Sequence, residues 1–212
     1  MDVPPEIMTQ IFGFMEFFEA VNCLLVSKYF MNIFKNKTWR VEKISIYSHS
    51  DYQIITKFKL VIKKLVIDGL LQIENLNLNV LNYQELYLHN INFVNLHDII
   101  KIDPDISDKC KKLVIYKSIN FRASLTNSFL CLNECTEIYF QDIEKYDYND
   151  VGTILTNFKN IPKIHKIIIS YSSNQNRRYI LHNIFDRRFF KYLATNNFDF
   201  DFDVTDLFII KK

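Results

Sequence analysis

Glycine is nearly missing from this chain: there are 3 in 212 residues, where average usage of about 7% predicts about fifteen. A glycine-rich loop cradling a phosphate is thereby excluded. Asparagine tolerates a left-handed backbone and is expected to replace glycine at many turns. The accompanying surplus of Asn, Ile, Lys, Phe and Tyr is the bias that AT-rich coding DNA produces, and it concerns the genome more than the function.

Long apolar runs are lacking as well. Val21 to Val26 is the nearest approach, far short of the roughly 18 residues a membrane helix needs. The start, with Asp2, two prolines and no basic flank, does not read as a signal peptide. The expected setting is intracellular, cytoplasmic or nuclear, with no membrane partner. Cysteine is sparse and unpatterned: Cys23, Cys110, Cys131 and Cys135 form no second ligand pair beside the 131/135 spacing. Buried reduced thiols are expected. Charge of one sign is lacking too; a net +2 argues against a polyanion-binding surface, so no nucleic-acid partner is expected.

Chemistry-bearing constellations are equally hard to find. His49, His89, His97, His165 and His182 are scattered without metal spacing. Asp199, Asp201 and Asp203 alternate with phenylalanines but lack the glycine and closing glutamate of a calcium loop; an edge strand or insertion loop is expected there. No nucleophile–base pair is visible. The sequence therefore predicts no catalytic residue, no metal and no cofactor. Arg177, Arg178, Arg187, Arg188 and Lys191 line a helix expected over 179–193, whose other face is apolar; it reads as a solvated outer helix.

What is present is a 49% hydrophobic composition, that of a globular chain. In the first forty residues, Pro5 and Glu6 open a helix as proline and an acid should. Ile7, Ile11, Phe14 and Met15 then fall on one apolar stripe. A second helix is expected over 19–25. Ser27 stands where a cap belongs for a third, through Tyr29, Phe30, Ile33 and Phe34. Three short helices cannot bury enough surface to be stable alone.

These residues resemble the F-box family. The pattern is carried by Val3-Pro4-Pro5-Glu6-Ile7, Ile11, Phe14-Met15, Val26-Ser27-Lys28-Tyr29-Phe30 and Trp39-Arg40, in order and with correct spacing. Val3 stands where leucine is usual, and Ala20-Val21 replaces an acidic-leucine pair. The resemblance implies docking to a Skp-type adaptor within a Skp–cullin–F-box ubiquitin ligase, through Val3, Pro4, Ile7, Ile11, Phe14, Met15, Val26 and Ser27. The alternative is a helical cap on the domain that follows.

Beyond residue 41 a block of form apolar-polar-polar-apolar-x-apolar recurs. Its fourth positions are Ile44, Leu65, Leu86, Leu113, Ile138, Ile167 and Leu207, at steps of 21, 21, 27, 25, 29 and 40. Block and steps resemble leucine-rich repeats, which implies parallel strands joined by helices or loops. Helices are expected over 51–61, 95–102, 124–132 and 149–158. The family's Asn or Cys, five residues past the fourth position, is replaced by His49, Leu70, Ile91, Ser118, Ile143 and Ser172. The expected fold is α/β: a three-helix F-box over 1–40, then an irregular leucine-rich-repeat-like solenoid with a curved parallel sheet over 41–212. An ordinary mixed α/β domain is the other reading.

The fifth position of each block should face away from the core. It reads Ser45, Val66, Tyr87, Val114, Tyr139, Ile168 and Phe208, with Tyr47, His89 and Tyr116 farther along the same face. An exposed apolar and aromatic stripe implies something that covers it. The expected partner-binding residues are Tyr47, Val66, Tyr87, His89, Val114, Tyr116, Tyr139 and Ile168. Lys64, Glu85, Lys112, Glu137 and Lys166 lie beside them. The expected function is a non-catalytic substrate receptor: the F-box holds the ligase and the second part holds an unknown protein for ubiquitination. A scaffold or decoy that binds the adaptor without delivering substrate is the alternative.

Overall fold

The computed structural model describes residues 4, 7, 10, 17–24, 35, 37–69, 76–91, 100–101, 109–117, 134–142, 163–170, 191, 193–195, 197–202 and 206–211. Helix α1 is Phe17–Leu24, two residues earlier in onset than expected. The helices expected over 5–15 and 29–34 lie largely outside the described residues. Strand β1, Thr38–Ile46, follows, so the boundary expected at residue 40 falls inside a strand.

Eight strands form one sheet. They are β1, β2 (Lys59–Asp68), β4 (Asn82–His89), β6 (Lys112–Tyr116), β7 (Glu137–Gln141), β8 (Lys166–Ser170), β10 (Asp206–Lys211) and β9 (Phe198–Phe202), in that spatial order. The short β3 (Leu76–Asn77) and β5 (Ile100–Lys101) pair separately and in parallel. Ile100 and Lys101 are therefore strand within the 95–102 segment expected as helix. The first six strands of the large sheet are mutually parallel and follow chain order. Their fourth-position residues stand in line: Ile44, Leu65, Leu86, Leu113, Ile138, Ile167.

The seventh block breaks the expected series. Strand β10 runs antiparallel to β8, with Phe208 opposite Ile168, and antiparallel to β9. Residues 203–205 are all that separate β9 from β10; so short a connection permits only an antiparallel pair, because a parallel one needs a crossover of a dozen residues or more. The sheet is therefore mixed and open, and it is not a solenoid. The Phe198–Phe202 segment forms its edge strand.

The core lies against one face. Ile44, Leu65, Leu86, Leu113, Ile138 and Ile167 form one buried row, and Ile46, Ile67, Leu88, Ile115, Phe140 and Ile169 a second. Each such side chain contributes about 1.5–3 kcal/mol by leaving water. In β2 the alternation slips by one residue: Leu60 and Ile62 are buried, then Leu65 and Ile67. Pairing with both neighbouring strands skips Lys63 at that point. The slip lets the first and fourth block positions, three apart, both face the core.

The spacing of Ile54, Ile55, Phe58 and Val61 predicts a helix to residue 61. Helix α2 (His49–Ile55) ends at Ile55 instead, and the apolar run from Leu60, with β-branched Val61 and Ile62, joins β2. Its start is well defined. Ser48 Oγ accepts from the Asp51 N–H at 3.2 Å, while Asp51 Oδ2 accepts from the Tyr47 N–H at 3.0 Å, a reciprocal cap of the kind short helices need. Tyr52 then ties α2 to β3, its hydroxyl donating to the Asn77 carbonyl at 2.9 Å.

One backbone device ends successive strands. The N–H just beyond β2, β4 and β6 donates to the last carbonyl of the next strand: Gly69 to His89 (2.8 Å), Asn90 to Tyr116 (3.0 Å) and Lys117 to Gln141 (3.0 Å). Asn90, Lys117 and Asp142 adopt left-handed backbone, with φ of 52°, 49° and 51°. Asparagine thus stands at one of these places, as the glycine shortage predicts. Gly69 is required for space: a Cβ there would lie 2.6 Å from Ile91 Cδ1 and 3.0 Å from the Asn90 carbonyl oxygen.

Candidate functional site

The face opposite the core is ordered by the parallel register into three rows. The middle row is Ser45, Val66, Tyr87, Val114, Tyr139 and Ile168, adjacent strand to strand, with Phe208 after them. Neighbours are therefore about 4.8 Å apart. On one side run Lys43, Lys64, Glu85, Lys112, Glu137 and Lys166; on the other, Tyr47 (two residues past Ser45), then Asp68, His89, Tyr116, Gln141 and Ser170.

The expected exposure of the middle row needs correction. Val66, Val114 and Ile168 are only 6%, 3% and 5% exposed. Val114 and Ile168 each stand between two tall aromatic neighbours, and Val66 has Tyr87 beside it; short branched side chains in such a row lose access to water. What remains accessible is aromatic, charged and polar. Tyr87, Tyr139, His89 and Tyr116 are half-buried, and Tyr47 is 52% exposed.

Two equivalent side-chain clusters occupy this face. In the first, Lys64 Nζ lies 3.7 Å from the Tyr87 ring centre, and the Tyr87 hydroxyl donates to Glu85 Oε2 at 3.0 Å. In the second, Lys112 Nζ lies 4.2 Å from the Tyr139 ring centre, and the Tyr139 hydroxyl donates to Glu137 Oε2 at 2.8 Å. Lys166 Nζ over the Phe208 ring, at 5.8 Å, begins a third without its hydroxyl or carboxylate. Cation–ring contacts of this kind contribute about 0.5–1 kcal/mol when exposed. Burial, then the bond to the carboxylate, pushes both tyrosine hydroxyls up to about 12. They stay protonated and hold the glutamates in place.

In the third row the His89 and Tyr116 rings lie 4.6 Å apart, and Lys117 Nζ is 5.2 Å from the Tyr116 ring centre. Asn90 Nδ2 donates to Asp68 Oδ1 at 3.1 Å. Burial holds the His89 imidazolium below its ordinary range; nearby Asp68 opposes this, and Lys64, Lys43 and Lys117 add to it. A cavity of about 600 Å³ opens beside Thr38, Arg40, Glu42, Val61, Lys63 and Gln84, at the strand starts. Among the described residues, no group of three His, Cys, Asp or Glu side chains is placed to hold a metal, and no helix is long and apolar enough to cross a membrane.

Cys110 and Cys135 are buried free thiols in equivalent places. Their Sγ atoms donate to the carbonyls of Lys112 and Glu137, at 3.4 and 3.3 Å. Burial raises both, Cys135 to about 12, which suits inert thiols rather than nucleophiles.

Of the residues expected to meet the adaptor, Pro4 and Ile7 are described. Both are exposed, Ile7 at 47%, and the Ile7 N–H donates to the Pro4 carbonyl at 3.1 Å. Val3, Ile11, Phe14, Met15, Val26 and Ser27 lie outside the described residues. Sequence reasoning missed the join between this segment and the sheet. Phe17, on α1, meets Trp39 of β1 edge-to-face at 6.0 Å and Phe58 at 5.5 Å, and all three are buried.

Helix α1 is thus joined through Phe17 to a sheet that displays an ordered polar and aromatic face. Residues 1–41 match the F-box domain family, and the chain carries an F-box domain there. No curated protein matches the chain. The last residues matched, 38–41, lie in β1.

Proposed function

We propose that this chain is a non-catalytic substrate receptor of a Skp–cullin–F-box ubiquitin ligase. An F-box implies binding to a Skp-type adaptor, with Pro4 and Ile7 among the contacts. The sheet face around Tyr87 and Tyr139 holds the protein to be modified. Its contribution to the reaction is proximity, which raises the effective concentration of substrate near the transferred ubiquitin. Working beside such a ligase places the chain in the cytoplasm or nucleus.

The observation that carries this reading is the F-box match at residues 1–41, joined to the sheet by the Phe17, Trp39 and Phe58 cluster. Affinity purification with mass spectrometry tests it. Wild type should bring down adaptor, cullin and a further protein. Pro4→Ala with Ile7→Asp should lose the ligase subunits, and Tyr87→Ala with Tyr139→Ala should lose only the further protein. Retention of the ligase by the first variant contradicts the docking. Adaptor capture with no recruited protein, from wild type, would instead favour the decoy.

A further inference from the structure

We infer that the sheet face takes an α-helix laid across its strands, with acidic residues recurring every seventh position. The inference rests on the receptor reading and names the chemistry of its partner. It begins from a two-strand period. Lys64, Lys112 and Lys166 stand on alternate strands, with Glu85 and Glu137 on the strands between them. Like charges therefore repeat every two strand spacings, about 9.6 Å. Seven residues of α-helix rise about 10.5 Å, and three to four residues about 4.5–6 Å. A helix with Glu or Asp at i, i+7 and i+14, and Lys or Arg halfway between, meets lysine and glutamate in turn across five strands.

The Lys and Glu charges of the ladder are not consumed by ion pairs between described residues. The ion pairs of Lys63 with Glu42 and of Lys163 with Glu134 both lie outside the ladder. Lys64 and Lys112 rest on tyrosine rings, which position the ammonium groups without neutralising them. Each glutamate accepts a tyrosine hydroxyl on Oε2, which fixes the carboxylate and leaves its charge in place. Burial of Val66, Val114 and Ile168 removes the apolar anchors a hydrophobic groove would need. Recognition is then set by charge register. With Lys43 at the β1 end, the ladder holds four lysines against two glutamates, so the complementary face is acidic overall. Single-stranded nucleic acid is disfavoured, because Glu85 and Glu137 would lie in the path of its phosphates.

Fluorescence anisotropy of the full chain with labelled three-heptad helical peptides tests this. One peptide carries Glu at the heptad spacing with Lys between; its isomer has the same composition with the charges distributed around the helix. The in-phase peptide should bind at least about tenfold tighter. Lys64→Glu with Lys112→Glu should abolish the difference, as should the milder Lys64→Gln with Lys112→Gln if the first variant does not fold. Equal affinity for the two peptides overturns the inference, and so does oligothymidylate binding tighter than the in-phase peptide. Adaptor capture is measured on the same preparations: peptide selectivity without adaptor binding contradicts the ligase reading, whereas adaptor binding without selectivity contradicts only the inference.

Discussion

Phe17→Ala probes the join between the F-box and the sheet. The Phe17 ring is buried against Trp39 and Phe58 in two edge-to-face contacts. Truncating a buried phenylalanine costs about 3–5 kcal/mol through lost transfer energy and the cavity left behind, and each aromatic pair accounts for about 0.5–1.5 kcal/mol of that. For a chain of this size each kcal/mol moves the melting temperature by about 2–4 °C, so the fall should be roughly 6–20 °C. Trp39 is the one tryptophan in the sequence and is only 4% exposed. Its fluorescence therefore reports on this join alone. In wild type, the Trp39 signal and the far-ultraviolet circular dichroism should lose amplitude at the same urea concentration. In Phe17→Ala, Trp39 emission should shift to the red and the midpoint should fall. An unchanged spectrum and midpoint, or two separate wild-type transitions, would refute a shared core.

Three further outcomes follow from particular residues. Leu113 is fully buried between Leu86 and Ile138, so Leu113→Ala should cost about 2–5 kcal/mol in a denaturant titration; a loss under about 1 kcal/mol would put it outside the core. Tyr87 and Tyr139 ionise near pH 12 in the fold against an ordinary 10. The folded state holds their protons longer, so their contribution is fully present below pH 10 and lost as pH rises from 10 to 12; a Tyr87→Phe, Tyr139→Phe double variant should lose less stability across that window, and equal losses would contradict it. Lys117 pays for a left-handed backbone with φ of 49°, about 1–2 kcal/mol for a residue with a Cβ. Lys117→Gly recovers this and loses about 0.5–1 kcal/mol to chain entropy, so it should be neutral to stabilising by up to about 1.5 kcal/mol, and clear destabilisation would show that the lysine side chain matters more.

Much of the sheet was legible in the sequence. Apolar residues at the fourth and sixth block positions mark strands, and six of the blocks do pair in line through Ile44, Leu65, Leu86, Leu113, Ile138 and Ile167. Strand direction was not legible, because an alternating hexad reads the same in a parallel or antiparallel pair; the short link between β9 and β10 decided the seventh. Ile54, Ile55, Phe58 and Val61 match a helical stripe, yet β-propensity and pairing with β1 claim the chain from Lys59. At the site, the side on which Val66, Val114 and Ile168 stand was readable from parity. Their burial was not, since it depends on the height of neighbouring strands' side chains. The Lys and Glu alternation was visible, but lysines resting on rings two residues out of step with them required the fold.

Calorimetric titration of a purified Skp-type adaptor into the full chain tests the central proposal most directly. Ile7 is largely exposed, so Ile7→Asp should leave the fold intact while removing an apolar contact worth about 1.5–3 kcal/mol and burying an unpaired charge at the interface. The expected result is saturable binding by wild type and by Tyr87→Ala with Tyr139→Ala, and at least about a tenfold weaker isotherm for Ile7→Asp. No binding by folded wild type, or an unaltered isotherm for Ile7→Asp, would contradict it.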